Sequence, residues 1–200
     1  MSMLDGISQC WWLSKTCWID LEAASAVATA AGVIVALAAP AIVRFRTRKR
    51  ANALCALAFY DLIARAKARL EIIEERFPLG SDRADSWAAE GLLMTDPEQR
   101  ERFGRMPGAL IELSKVEIDL SRWPAAVDLK LAESVAIAVH AAARVCDAID
   151  AGSKASNDSP QWGPYWSSYR TDMDYAHVHI ERALRACGRA TRRMALGEHA

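Results

Sequence analysis

Between Ala23 and Val43 the chain runs for 21 residues without a charged side chain. As a helix, such a run is about 30 Å long, close to the hydrocarbon thickness of a bilayer. The run is rich in alanine, and Val27, Val33, Ile34, Val35, Leu37, Ile42 and Val43 are its strongly apolar members. Two soluble readings compete with a retained span. One is a buried core helix. The other is a cleavable signal peptide, for which Ala36-Leu37-Ala38 resembles a cleavage site. Against cleavage, the segment before the run is long and acidic, and a dense cationic cluster directly after it opposes translocation of the downstream chain. The expectation is a transmembrane helix over 23–43.

Charge sets the direction of crossing. The chain is neutral overall, with 25 Lys and Arg against 25 Asp and Glu. Residues 1–43 nevertheless hold Asp5, Asp20 and Glu22 against Lys15, while 44–50 (Arg-Phe-Arg-Thr-Arg-Lys-Arg) hold only positive charges. By the positive-inside rule, 44–50 is a cytoplasmic flank and the N-terminus lies outside. Trp11, Trp12 and Trp18 precede the span, where indoles favour the interface, and Leu4, Trp11 and Trp18 recur every seventh residue. Residues 1–22 are therefore expected as an outer interfacial segment. The expectation is a single-pass membrane protein with its N-terminus outside and 51–200 in the cytoplasm. Cys10 and Cys17 fall on the oxidising side, where they could bridge two chains. Cys55, Cys146 and Cys187 read as buried free thiols.

The span has a distinctive face. At ~100° per residue, Ser25, Ala28, Thr29, Gly32, Ala36 and Ala39 gather on one side, opposite Val27, Ile34, Leu37 and Ala41. Small residues let helix backbones approach closely in lipid, where burial from water no longer drives association. A single span has no partner within its own chain, so self-association, or pairing with another membrane protein, is expected. Pro40 removes a helical hydrogen bond near the inner end, consistent with a kink or hinge.

Beyond the flank, no segment alternates with period two and helical periodicity prevails. A helix is expected to continue to Phe77 with Leu54, Ala58, Leu62, Ala66, Leu70, Ile73 and Phe77 on its inner face. Pro78-Leu79-Gly80-Ser81 ends it. Shorter helices are expected near 83–94, after the N-cap Asp96-Pro97, and after Met106-Pro107, the last carrying Leu110, Leu113, Val116 and Leu120. Pro124 is expected to open a long helix that buries Val127, Leu131, Val135, Ala138, Ala142, Val145 and Ile149, with Gly152 stopping it. A polar loop over 153–163 leads to a last helix from Pro164 to Leu196. The fold class is all-α: one N-terminal transmembrane helix followed by a cytoplasmic helical bundle.

Enzyme chemistry leaves no trace: there is no phosphate-binding glycine loop, nucleophile elbow or metal-ligand spacing, so no catalytic residue, metal or cofactor is expected. His177 and His179, two apart on a helix, do not face each other, whereas Asp174 and His177 share a face. His140 reads as a packed core histidine, and Glu71, Glu74 and Glu75 as a solvated acidic face.

The C-terminal helix carries two unusual sets. Trp162, Tyr165, Trp166 and Tyr169 cluster at its start. Arg182, Arg185, Arg189 and Arg192 step along it by three, four and three, with Arg193 adjacent and no acid between Arg182 and Arg193. A cationic ridge suits phosphates through forked hydrogen bonds, and aromatic rings can stack bases. Arg182, Arg185, Arg189, Arg192, Trp162 and Trp166 are thus a candidate site for a nucleotide or single-stranded oligonucleotide. The alternatives are that the aromatics pack on the bundle and that the arginines pair with acids or touch anionic headgroups.

In layout, the chain resembles the single-span membrane effectors of bacterial anti-phage defence, a likeness that carries over no individual residue. It implies a homo-oligomer whose cytoplasmic domain senses a nucleotide-type signal and whose spans then permeabilise the membrane. Ser25 and Thr29 would line the pore, with Glu22 at its outer mouth and Arg44 at its inner one. The alternative is a membrane-tethered adaptor whose bundle recruits a protein partner, and a third class is a membrane-bound hydrolase or transferase.

Overall fold

Alanine and leucine at helical spacing, with few internal breakers, make this chain helical over most of the residues that its structure describes. The computed structural model describes residues 21–79, 84–117, 127–155 and 162–195, and side chains within 25–79, 85–117, 127–155 and 162–192. Among these residues there are six helices and no strand: α1 (Leu21–Arg76), α2 (Ala84–Thr95), α3 (Pro97–Gly104), α4 (Ala109–Ser114), α5 (Leu129–Lys154) and α6 (Trp162–Ala195). The chain divides into two units, Met1–Thr47 and Arg48–Ala200. Residues 1–20, with Trp11, Trp12, Trp18, Cys10 and Cys17, lie outside the described residues, as do Leu120 and Pro124.

Within Met1–Thr47 the described part is the first portion of α1. It is the one helix among the described residues long and apolar enough to cross a membrane, and none of its apolar window is buried. The helix runs unbroken past Pro40.

The unit Arg48–Ala200 has its own core. Ile63, Ala66, Leu70 and Ile73 of α1 meet Leu93, Phe103, Leu110 and Leu113 of the short helices, Val135, Ala142, Val145 and Ile149 of α5, and Met173, Ile180 and Ala183 of α6. The early face of α1 differs from expectation. Leu54 is 65% exposed and Ala58 is exposed, while Ala53 and Ala56 are buried. Repeated steps of four rotate a stripe by about 40° each, so Leu54 lies about 160° round the helix from Ala56. Steps of three, from Ala53 to Ala56 and from Ile63 to Ala66, keep the inner face turned inward.

Local signals place the short helices. Asp96 accepts from Glu98 N at 2.8 Å and from Gln99 N, capping α3 ahead of Pro97. At the end of α2, the buried Arg100 donates to Leu93 O at 2.8 Å and Met94 O at 3.0 Å, filling carbonyls that the last turn leaves open. Helix α4 stops at Ser114, short of the expected Val116, which is half-buried. The cap of α5 is Asp128, whose Oδ1 accepts from Lys130 N at 3.0 Å, so the helix begins at Leu129 and Val127 precedes it.

Gly152 does not stop α5 either. The helix runs on to Lys154 with Gly152 buried inside it. A β-carbon there would lie 2.1 Å from the Tyr165 hydroxyl oxygen. The glycine is a packing requirement, which lets the Tyr165 hydroxyl donate to Ala148 O at 2.9 Å.

The thiols follow the core. Cys187 is buried, and Cys55 and Cys146 are half-buried, all unbridged. Burial pushes the Cys146 and Cys187 thiols up to about 11, with Cys55 adding to the effect at Cys187.

Candidate functional site

The first candidate is the small-residue face of α1. Ser25, Ala28, Thr29, Gly32 and Ala36 are all exposed on that helix, as are Val27, Ile34 and Leu37 opposite them. A β-carbon on Gly32 would meet nothing within 4 Å, so the groove beside it is open. Thr29 Oγ1 donates to Ser25 O at 2.7 Å. With its proton turned back into the helix, the Thr29 hydroxyl offers lone pairs outward, an acceptor for a neighbouring donor or a passing cation. Side-chain structure at Glu22 lies outside the described residues.

The second candidate splits into its parts. The aromatic set at the start of α6 is core: Trp162 is 5% exposed, Trp166 7% and Tyr169 1%. Trp162 and Trp166 stack on each other with centroids 4.8 Å apart, and Tyr165 packs edge-on against both. Burial in the core removes these indoles as a platform for a base, correcting the stacking role expected of Trp162 and Trp166. They are also remote from the arginines, since sixteen residues separate Trp166 from Arg182, about 24 Å along a helix.

Arg182, Arg185, Arg189 and Arg192 do form an exposed face of α6. Arg185 pairs with Glu181 on its own helix, and Arg192 Nε donates to Gly188 O at 3.2 Å. No ion pair to an acid of another helix holds any of the four among the described residues. The ridge therefore presents its charge to the surroundings. The Arg193 side chain lies outside the described residues.

A polar network that sequence reasoning did not assemble ties α1 to α6. Arg170 Nη1 donates to Glu74 Oε1 at 2.8 Å and Nη2 lies 2.9 Å from Asp174 Oδ1. His177 Nε2 lies 2.9 Å from Glu74 Oε2, close in distance but poorly aligned for a hydrogen bond. Asp174 and His177 do share a face, and Glu74 is not simply solvated as expected; Glu71 and Glu75 are exposed. Partial burial pushes the Glu74 carboxyl up, yet the bond from Arg170 and the charges of His177 and Arg170 together hold it below the usual range. His179 faces away from this network, its ring 4.2 Å from that of Tyr175. On α5, His140 is exposed, contrary to the core position expected.

Among the described residues of the unit Arg48–Ala200, two clefts stand out. One, of about 330 Å³, is acidic and lined by Glu71, Glu74, Glu75, Pro78 and Asp85. The other, of about 440 Å³, has Phe77, Ala89, Leu92 and Met106 as an apolar floor and Arg76, Arg102 and Arg105 at its rim. Arg102 of α3 and Arg105, which follows that helix, are paired with Glu98 and Glu101 of α3. Among the described residues, no cluster of three or more His, Cys, Asp or Glu could hold a metal ion.

No protein-family model, no curated protein and no solved structure matches the chain.

Proposed function

We propose that the chain is a single-span membrane effector that self-associates through the Ser25, Ala28, Thr29, Gly32 and Ala36 face of α1. The assembled spans form a narrow pore, and a cytoplasmic bundle controls its opening. The observation that carries this reading is the exposed apolar stretch of α1, with one side built entirely of small residues. In water such a stretch is costly; in lipid it is at home, and its small side is where a second helix fits. The N-terminus lies outside and the bundle at the inner face, as the cations of 44–50 favour. Anion binding by the arginine face of α6 is the controlling event, without a stacking platform for a base.

Ion flux from proteoliposomes tests the proposal. Gly32→Leu fills the open groove and should abolish the leak while the chain still floats with the vesicles. Undiminished flux, or no flux from the wild-type chain, would sink it.

A specific observation favours a second reading, a tethered adaptor. Trp87 is 71% exposed on α2, and the exposed Leu92 of the same helix lines the larger cleft. Exposed large apolar side chains beside a groove suit a protein partner. In that reading Gly32→Leu changes nothing, and Trp87→Asp abolishes partner capture.

A further inference from the structure

Three contacts set the register of the helices in the unit Arg48–Ala200. Asn52 Oδ1 of α1 accepts from Asp128 N, at the start of α5, at 2.7 Å. A β-carbon on Gly188 of α6 would lie 3.8 Å from the Tyr60 ring. Further along α1, Glu74 meets Arg170 and His177 of α6. Helix α6 therefore runs antiparallel to α1. Its last turns come level with residues 52–60, the end at which α5 begins, and Arg192 lies about 6 Å past the Tyr60 contact.

That end gathers cations from three helices: Arg48, Lys49 and Arg50 of α1, Lys130 of α5, and Arg189 and Arg192 of α6. Its described acids are Glu133, Asp128 and Asp61; Asp128 is occupied in capping α5 and Asp61 pairs with Arg65. The far end is mixed in sign, holding the acidic cleft of Glu71, Glu74, Glu75 and Asp85 together with Arg76, Arg102 and Arg105 at the rim of the other cleft. Leu129, the first residue of α5, is 70% exposed among the cations.

We infer that this basic end docks on anionic phospholipid headgroups, with Leu129 reaching past them towards the acyl chains. The inference rests on the reading of α1 as a span. Arg48 follows Val43 by five residues, so the chain tethers this end, and not the far one, to the membrane. Charges spread over three helices suit a planar array of phosphates, whereas a nucleotide requires convergence on one point and something for its base to stack on. The stacking rings are core, and both clefts are lined by other residues. Each cation near an anionic surface contributes about a fivefold preference.

The test uses the full chain in phosphatidylcholine vesicles with and without phosphatidylglycerol, read by hydrogen exchange. Amides of 127–133 and 186–195 should exchange about fivefold or more slowly in the anionic vesicles, while 162–175 remain unchanged. Arg189→Glu with Arg192→Glu should erase the difference on α6 without releasing the chain from vesicles. Equal exchange in both bilayers overturns the inference, with the span left standing. Protection by triadenylate in neutral vesicles, without an effect of phosphatidylglycerol, also overturns it and assigns the arginines to a nucleotide. Failure to float with either vesicle removes the span and this inference together.

Discussion

Replacing Gly152 with alanine sets two effects of opposite sign against each other. In a helix interior, alanine is favoured over glycine by about 1 kcal/mol. The new β-carbon, however, would lie 2.1 Å from Tyr165 Oη and 2.6 Å from Cζ, well inside any permitted contact. The ring has little freedom to retreat, because Trp162, Trp166 and Tyr169 surround it. Overpacking of this kind costs about 1–3 kcal/mol. Displacing the hydroxyl also loses its bond to Ala148 O, roughly 1 kcal/mol. The clash wins, and a net destabilisation of about 2 kcal/mol is expected. Urea unfolding of the full chain in detergent, followed by tryptophan fluorescence, measures it. The decisive comparison is a double-mutant cycle: with Tyr165→Ala already in place, Gly152→Ala should stabilise by up to about 1 kcal/mol. If Gly152→Ala costs the same in both backgrounds, Tyr165 is not the reason for the glycine.

Arg100→Met keeps the packing stem but removes both bonds to the last carbonyls of α2, so a loss of about 2 kcal/mol is expected by the same unfolding measurement. For Glu74 the folded pKa lies below the unfolded value, so its contribution to stability is present above about pH 4.3 and is lost as pH falls through the folded value. Glu74→Gln should therefore flatten the acid limb of a stability–pH curve measured between pH 3 and 6 (on the order of the carboxylate range), and an unchanged limb would remove the network from the account.

The elements were largely legible because helix signals are local. Asp96-Pro97 announced α3, and the apolar run announced the exposed first part of α1. What escaped depends on partners distant in the chain. Leu54 and Ala58 looked like core because apolar residues at a spacing of four match a helix face, and only the packing partners decide which face turns inward. Gly152 carried the composition of a helix stop, and nothing local told of a tyrosine thirteen residues on that needs its space. Glu74, Arg170 and His177 were each visible as charged residues, but their meeting requires the antiparallel register of α1 and α6. The aromatic set shows the converse, where proximity in the chain to an arginine ridge suggested a joint site. A helix separates residues by length as firmly as it aligns them by face, and the indoles went to the core.

The basic end of the bundle also bears on self-association. If α1 spans pair through their small faces, each copy brings its tethered cations towards those of its neighbour. Two unit charges about 20 Å apart in water repel by only ~0.2 kcal/mol. Summed over the many pairs two such ends present, the repulsion is comparable with the ~1–2 kcal/mol of a polar contact between helices in lipid. In neutral bilayers, association should then strengthen as salt shortens the screening length from about 30 Å at 0.01 M to about 8 Å at 0.15 M. In anionic bilayers the headgroups already neutralise the surface, so association should be stronger from the outset and nearly independent of salt. Energy transfer between labelled copies of the full chain, titrated with salt in the two bilayers, separates these behaviours. Salt-independent association in the neutral bilayer would mean that the cationic ends never approach one another, and the bundle would then have to be coupled to its spans by some other force.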